Sequence, residues 1–142
     1  VLLPVALLPL YRMVCKRWSI VTVDGSSMAR SLPSGQRVLV RHGVTAVATG
    51  DIVLIPRPDQ RDGWRLRPSS SGGGQPRWML KRVAAVAGDP MPAELGPGPG
   101  EVVPAGRLVL LGEHDRSWDS RQLGPCPTAA VAGKVVARLG HR

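Results

Sequence analysis

A chain of 142 residues that is 43% apolar is long enough for one domain with a modest core and is too apolar for a disordered tail. Phe is absent, aromatics are only 4%, and there are 17 Gly and 14 Pro, so the core must be aliphatic and the composition argues against a helical bundle. The net charge of +9 is spread over single arginines from Arg12 to Arg142, without a dense cluster or interleaved aromatics. That pattern argues against a nucleic-acid partner and suits anionic lipid headgroups at least as well.

The chain opens on "VLLPVALLPLYRMVC", followed by "KRW". Its unbroken apolar part covers about ten residues, half of the roughly 20 that a spanning helix needs. No small-residue cleavage site follows it, which argues against a removed signal peptide. Three readings stay open: the end of a membrane anchor, a segment lying in the interface, or a buried N-terminal strand. Residues 1–18 are set apart as this membrane-proximal segment, and 19–142 as one folded domain.

From Ile20 the texture changes. "SIVTV", "QRVLVRH", "GDIVLIP", "RWMLKRVAAVAG", "GRLVLLG" and "GKVVARL" are short β-branched runs bounded by Gly or Pro. They predict an all-β domain of small antiparallel sheets or a partly open barrel. Two loops interrupt them. Arg57 to Pro76 is polar with an "SSSGGG" centre, and Asp89 to Glu101 is too rich in Pro and Gly for regular structure.

Cys15 and Cys126 sit at opposite ends in no framework spacing, so free thiols are expected. His42, His114 and His141 show no ligand spacing, so neither a metal nor another cofactor is assigned.

Chemistry concentrates in two places. "TVDGSSMARSLPSG" sets Ser26 and Ser27 in a Gly-rich turn, and a serine hydroxyl needs a positioned base to act as a nucleophile. No histidine stands in a triad pattern, and His114 has an acidic residue on each side, as a solvated turn would. Lys81 is the other candidate. Only Lys16, Lys81 and Lys134 are lysines among 19 cations, and Lys, unlike Arg, can lose its proton inside a protein. Strand alternation puts Met79, Lys81 and Val83 on one face, with Leu80 and Arg82 on the other. An amine in such an apolar wall has a lowered pKa and can accept a serine proton. An edge lysine reaching out to water fits the pattern equally well.

These residues carry a resemblance. "GSSM" with "LPSGQRVLV", then "GDIVLI", "LKRVAAVAGD", "VPAGRLVLLGEHDRSWDSRQLGPCP" and "VAGKVV" resemble, in order, the boxes of the type I signal peptidases, serine proteases with a Ser/Lys dyad. The resemblance runs over nearly the whole chain after Val21. It implies Ser27 as nucleophile and Lys81 as general base. Ser117 would orient the lysine amine, while Asp119 and Arg121 brace that corner on either side of Ser120. Ser26 and Met28 would flank the substrate. The backbone N–H of Ser27 would serve the oxyanion hole, and Gly25 takes the place where some relatives add a hydroxyl donor.

The sequence departs from the family pattern at Arg30-Ser31 for Pro-Thr, at Gly35-Gln36 for Gly-Asp, and at Gly112-Glu113-His114 for Gly-Asp-Asn. The short segment between Asp89 and Gly112 leaves no room for the extra β-domain of larger relatives. The implied function is a serine endopeptidase at the cell membrane, on its extracytoplasmic side. It would cut signal or leader peptides from exported precursors, which bind as an added strand with small residues before the cut. The N-terminal run then reads as the outer end of an anchor. Two alternatives stand beside this: a non-catalytic membrane-surface module on a degenerate peptidase scaffold, and a self-cleaving repressor-type Ser/Lys protease. The second would carry a DNA-binding domain before the serine box.

Overall fold

The computed structural model describes residues 17–23, 28, 30–43, 46–59, 61–69, 77–114 and 117–141. Among these residues seven strands are formed: β1 (Trp18–Thr22), β2 (Gln36–His42), β3 (Ile52–Pro56), β4 (Trp78–Val86), β5 (Arg107–Leu111), β6 (Cys126–Pro127) and β7 (Gly133–His141). They coincide with the β-branched runs of the sequence, apart from the two-residue β6. The expected small sheets join into one antiparallel sheet in the order β1-β2-β7-β3-β4-β5-β6. The C-terminal strand therefore lies in the middle. It pairs along its length with β2 and, at its start, with β3 through Val53–Lys134 and Leu54–Gly133.

Alternation divides the apolar residues between the two faces. Leu54 and Leu80 join Val23, Met28, Leu32, Val38 and Val40 in one cluster. Their neighbours Val53, Ile55 and Val83 join Leu108, Leu110 and Cys126 in another. A register shift between Val83 and Ala85 pairs Ala85 with Val109, and these two pack with Val103 in a third cluster. Burying one such Val or Leu side chain is worth roughly 1.5–3 kcal/mol, so the clusters are the main source of cohesion.

Outside the strands there is little regular structure among the described residues. The Pro- and Gly-rich loop after Asp89 was expected to have none, yet it holds a short 3-10 turn at Ala93–Leu95 and a bridge between Pro90 and Val102. A one-turn helix, Ser120–Leu123, is fixed by a capping box. The Asp119 carboxylate accepts from the Arg121 N–H, and Gln122 reaches back to the Asp119 N–H. No helix among the described residues is long and apolar enough to cross a membrane.

Candidate active site

Lys81 sits in the middle of β4, opposite Val53. The cross-strand pair places it on the face of Met79, Val83 and Ile55, as the alternation predicts. It is 0% exposed, and its Nζ has no hydrogen-bond partner among the described residues. A buried ammonium in that setting loses its hydration without replacement. Burial pulls its pKa from the ordinary 10.5 down to about 8, opposed by the nearby Asp119 carboxylate and reinforced by the Arg121 and Arg57 guanidiniums.

Ser117 faces the same small space. Its Oγ is buried and likewise unpartnered among the described residues. A Cβ added to Gly112 would overlap Ser117 Oγ and stand 2.6 Å from Ser117 Cβ and 3.2 Å from Lys81 Nζ. Gly112 is therefore the residue that makes room for hydroxyl and amine to converge. No hydrogen bond closes between them in this structure.

The corner around this pair is rigidly braced. The Asp119 side chain is fully buried and accepts from the Gly112 N–H at 2.8 Å, from the Arg121 N–H at 2.9 Å, and from the Arg121 guanidinium at 2.8 to 3.3 Å. Arg121 Nη2 also donates to the carbonyls of Gly112 and His114. Buried Ser120 accepts from the Leu110 N–H, which ties the one-turn helix to β5. Sequence reasoning pointed to Asp119 and Arg121 as a pair. It missed the role of Gly112, for which the only signal was its place before Glu113-His114. His114 itself is exposed, as its acidic neighbours suggest.

Ser26 and Ser27 lie outside the described residues, as does Gly25. The chain on either side of them is well anchored. Val23 exchanges backbone hydrogen bonds with Gln36 and Gly35, and Met28 O accepts from the N–H groups of Ser31 and Leu32. The Met28 side chain, expected beside the substrate, is 1% exposed and packs in the core with Leu32 and Leu80.

Known proteins share this sequence pattern. The family described as signal peptidase, peptidase S26, matches residues 1–96 and 91–139, nearly the entire chain. The chain belongs to this family. Among curated relatives, it is 28% identical over 127 residues to the mitochondrial ATP-independent inner membrane protease subunit 1a of Arabidopsis thaliana, covering 82% of this chain and 67% of the relative. With subunit 1b of the same organism it shares 29% identity over 125 residues, covering 81% and 66%. It thus spans about two thirds of the length of these relatives. Family membership carries a signal-peptidase type of function, and S26 proteins are serine peptidases that act on precursors bearing signal peptides.

Proposed function

We propose that this chain is a membrane-associated serine endopeptidase in which Ser27 and Lys81 form the catalytic dyad, and that it removes signal or leader segments from exported precursors. The observation that carries the reading is the Lys81 amine, fully buried, unpartnered among the described residues and held at a pKa of about 8. A group with that pKa is neutral in a useful fraction of molecules near physiological pH, which a general base requires.

The neutral amine takes the Ser27 Oγ proton as Oγ attacks the scissile carbonyl carbon. The resulting ammonium returns that proton to the leaving amine as the C–N bond breaks, leaving an ester on Ser27. A water molecule then gives its proton to Lys81 and attacks the ester carbonyl. Lys81 passes that proton to Ser27 Oγ as the ester C–O bond breaks, which releases the acid and restores the Ser27 hydroxyl and the neutral amine. Ser117 is the hydroxyl placed to hold the amine in line. Asp119 and Arg121 fix the corner on which Ser117 rides.

Residues 1–18 form the membrane-proximal segment in this reading, and 19–142 the catalytic domain on the far side of the bilayer from the cytoplasm. Lipid association is supported by β1, where Trp18 is 36% and Ile20 60% exposed on one face. The Arg41 guanidinium lies over the Trp18 ring at 5.8 Å and adds a cation beside that apolar strip. The named relatives are inner membrane proteases.

The test is cleavage of a peptide with an Ala-x-Ala site by detergent-solubilised protein, compared with Ser27→Ala and Lys81→Arg. Arginine keeps a positive charge but cannot act as a base. Cutting by wild type alone supports the dyad. Undiminished cutting by Ser27→Ala assigns the nucleophile elsewhere, and an inert wild type favours the degenerate-scaffold alternative.

A further inference from the structure

Three loops meet beside the lysine site through groups that the dyad itself does not use. The Ser31 N–H donates to Glu113 Oε1 at 2.8 Å, and Ser31 Oγ donates to Glu113 Oε2 at 2.8 Å. Ser31 Oγ also accepts from Arg82 Nη2 at 2.7 Å, while Arg82 Nη1 donates to the Gly50 carbonyl at 2.9 Å. The serine hydroxyl is thus inserted between a guanidinium and a carboxylate and satisfies both. Hydrogen bonds with an ionised partner are roughly twice as strong as neutral ones, and here two of them converge on one hydroxyl.

The positions of these residues give the contact its meaning. Glu113 follows Gly112, the residue against which Ser117 Oγ and Lys81 Nζ are packed. Arg82 follows Lys81 on β4 and projects from the opposite face. Ser31 closes the turn that begins at Met28, the residue next to Ser27. The turn that follows the serine box is therefore tied, across 82 and 51 residues of sequence, to both chain segments that shape the lysine site. Both ends of the contact fall where the sequence departs from the family pattern, at Arg30-Ser31 and at Glu113-His114. The departures meet in space.

We infer that Glu113 is a positioning residue: its carboxylate latches the Met28–Ser31 turn through Ser31 and so sets where Ser27 stands relative to Lys81. This inference rests on the Ser27–Lys81 reading of the site. Neither Glu113 nor Ser31 touches the reacting atoms in it. What they control is the separation and angle of the two groups that do. Arg82 holds Ser31 Oγ from the other side, so loss of the carboxylate leaves Ser31 Oγ with the Arg82 contact alone.

The experiment combines kinetics with amide exchange on Glu113→Ala, Ser31→Ala, the double variant and Ser31→Thr. A misplacement of about 1 Å costs roughly 100-fold in rate. Glu113→Ala is therefore expected to lower kcat on the Ala-x-Ala peptide by roughly ten- to a hundredfold, with KM little changed. The double variant should lose no more than the worse single one, because both break the same latch. Ser31→Thr, which keeps the N–H and the hydroxyl, should recover most of the activity that Ser31→Ala loses. Full kcat in Glu113→Ala would overturn the inference. So would losses that multiply in the double variant, or a loss explained by a melting temperature below that of the assay. Exchange of the Ser31 N–H reads the latch without any cleavage. Faster exchange in Glu113→Ala together with an inert wild type would leave the latch standing and bring down the peptidase reading. Unchanged exchange would overturn the latch whatever the peptide does.

Discussion

Replacing Lys81 with methionine should make the protein more stable and catalytically dead, and the gain in stability should depend on pH. Methionine has a similar length, brings no polar atom, and suits irregular apolar gaps such as the one among Met79, Val53 and Val83. The size of the gain follows from the amine. Its pKa drops from 10.5 to about 8 on folding, and each tenfold change is worth about 1.4 kcal/mol, so a charged Lys81 costs the fold about 3 kcal/mol. Replacements of buried charges by apolar residues of similar size reach gains of about 1–4 kcal/mol, the same range.

The sign of the pH dependence is fixed by which state holds more protons. Between about 8 and 10.5 the unfolded chain keeps the Lys81 proton and the folded one has lost it, so wild-type stability rises with pH across that window. Below about 8 both states are protonated and the cost is present in full. Lys81→Met should therefore exceed wild type by about 3 kcal/mol at pH 6.5 to 7.5, or roughly 10 °C in melting temperature for a chain of this size. By about pH 10 most of that difference should be gone. Denaturant titrations of both proteins at several pH values measure it, and taking the difference removes every other titrating group. A gap that stays constant with pH would mean that Lys81 does not change its charge in this window. A variant less stable than wild type at neutral pH would mean that the ammonium is well compensated. Either result refutes the argument from burial.

Three further expectations follow from the same corner. Asp119→Asn keeps a residue that caps the helix well but removes the one charge that holds the Lys81 pKa up, so the inflection in kcat/KM should move to lower pH than about 8; a shift upward would contradict it. Gly112→Ala drives a methyl group into Ser117 and toward Lys81 Nζ, so it should destabilise by roughly 1–3 kcal/mol and suppress cleavage, as thermal melts and peptide assays on one preparation would show. The Cys126 thiol is fully buried, and desolvation pushes its pKa up to about 12, so in a Cys15→Ser background it should resist alkylation at pH 8 until denaturant unfolds the chain.

Much of the strand framework was legible because its cues are local. Runs such as Val38–Val40 and Ile52–Ile55 combine β-branched residues with Gly or Pro at their ends, and that is enough to place β2 and β3. Alternation along β4 also put Lys81 on an apolar face before any packing was known. The arrangement of the strands was not legible. Nothing local says that the last strand lies between β2 and β3, because its register depends on contacts such as Gly133 beneath Val40 and Arg41, where an added Cβ would stand 2.6 Å from a Val40 methyl. The one-turn helix at Ser120 was a different kind of miss. Asp119 and Gln122 have the capping-box spacing, but four residues between strands are too few for a helical period to show.

The candidate site divides along the same line. Lys81 could be picked out from its strand alternation and as one of only three lysines, whereas Ser117, Asp119 and Arg121 were indicated only by the resemblance to the signal-peptidase boxes. What could not be read is how the chain buries this amine without a partner among the described residues. Among the described residues of this corner, the Asp119 carboxylate is engaged by Gly112 and Arg121, and Ser120 Oγ by Leu110. Ser117 alone among the described side-chain hydroxyls there is left open toward the amine. A stray hydrogen bond or a nearer carboxylate would lower the cost of the buried ammonium and raise its pKa, and the amine would then stay charged at the pH where the proposed mechanism has it accept a proton. The satisfaction of its neighbours and the lack of a partner for Lys81 among the described residues are thus two sides of one arrangement. The instability it imposes is the physical reason to expect Lys81→Met to gain stability as it loses function.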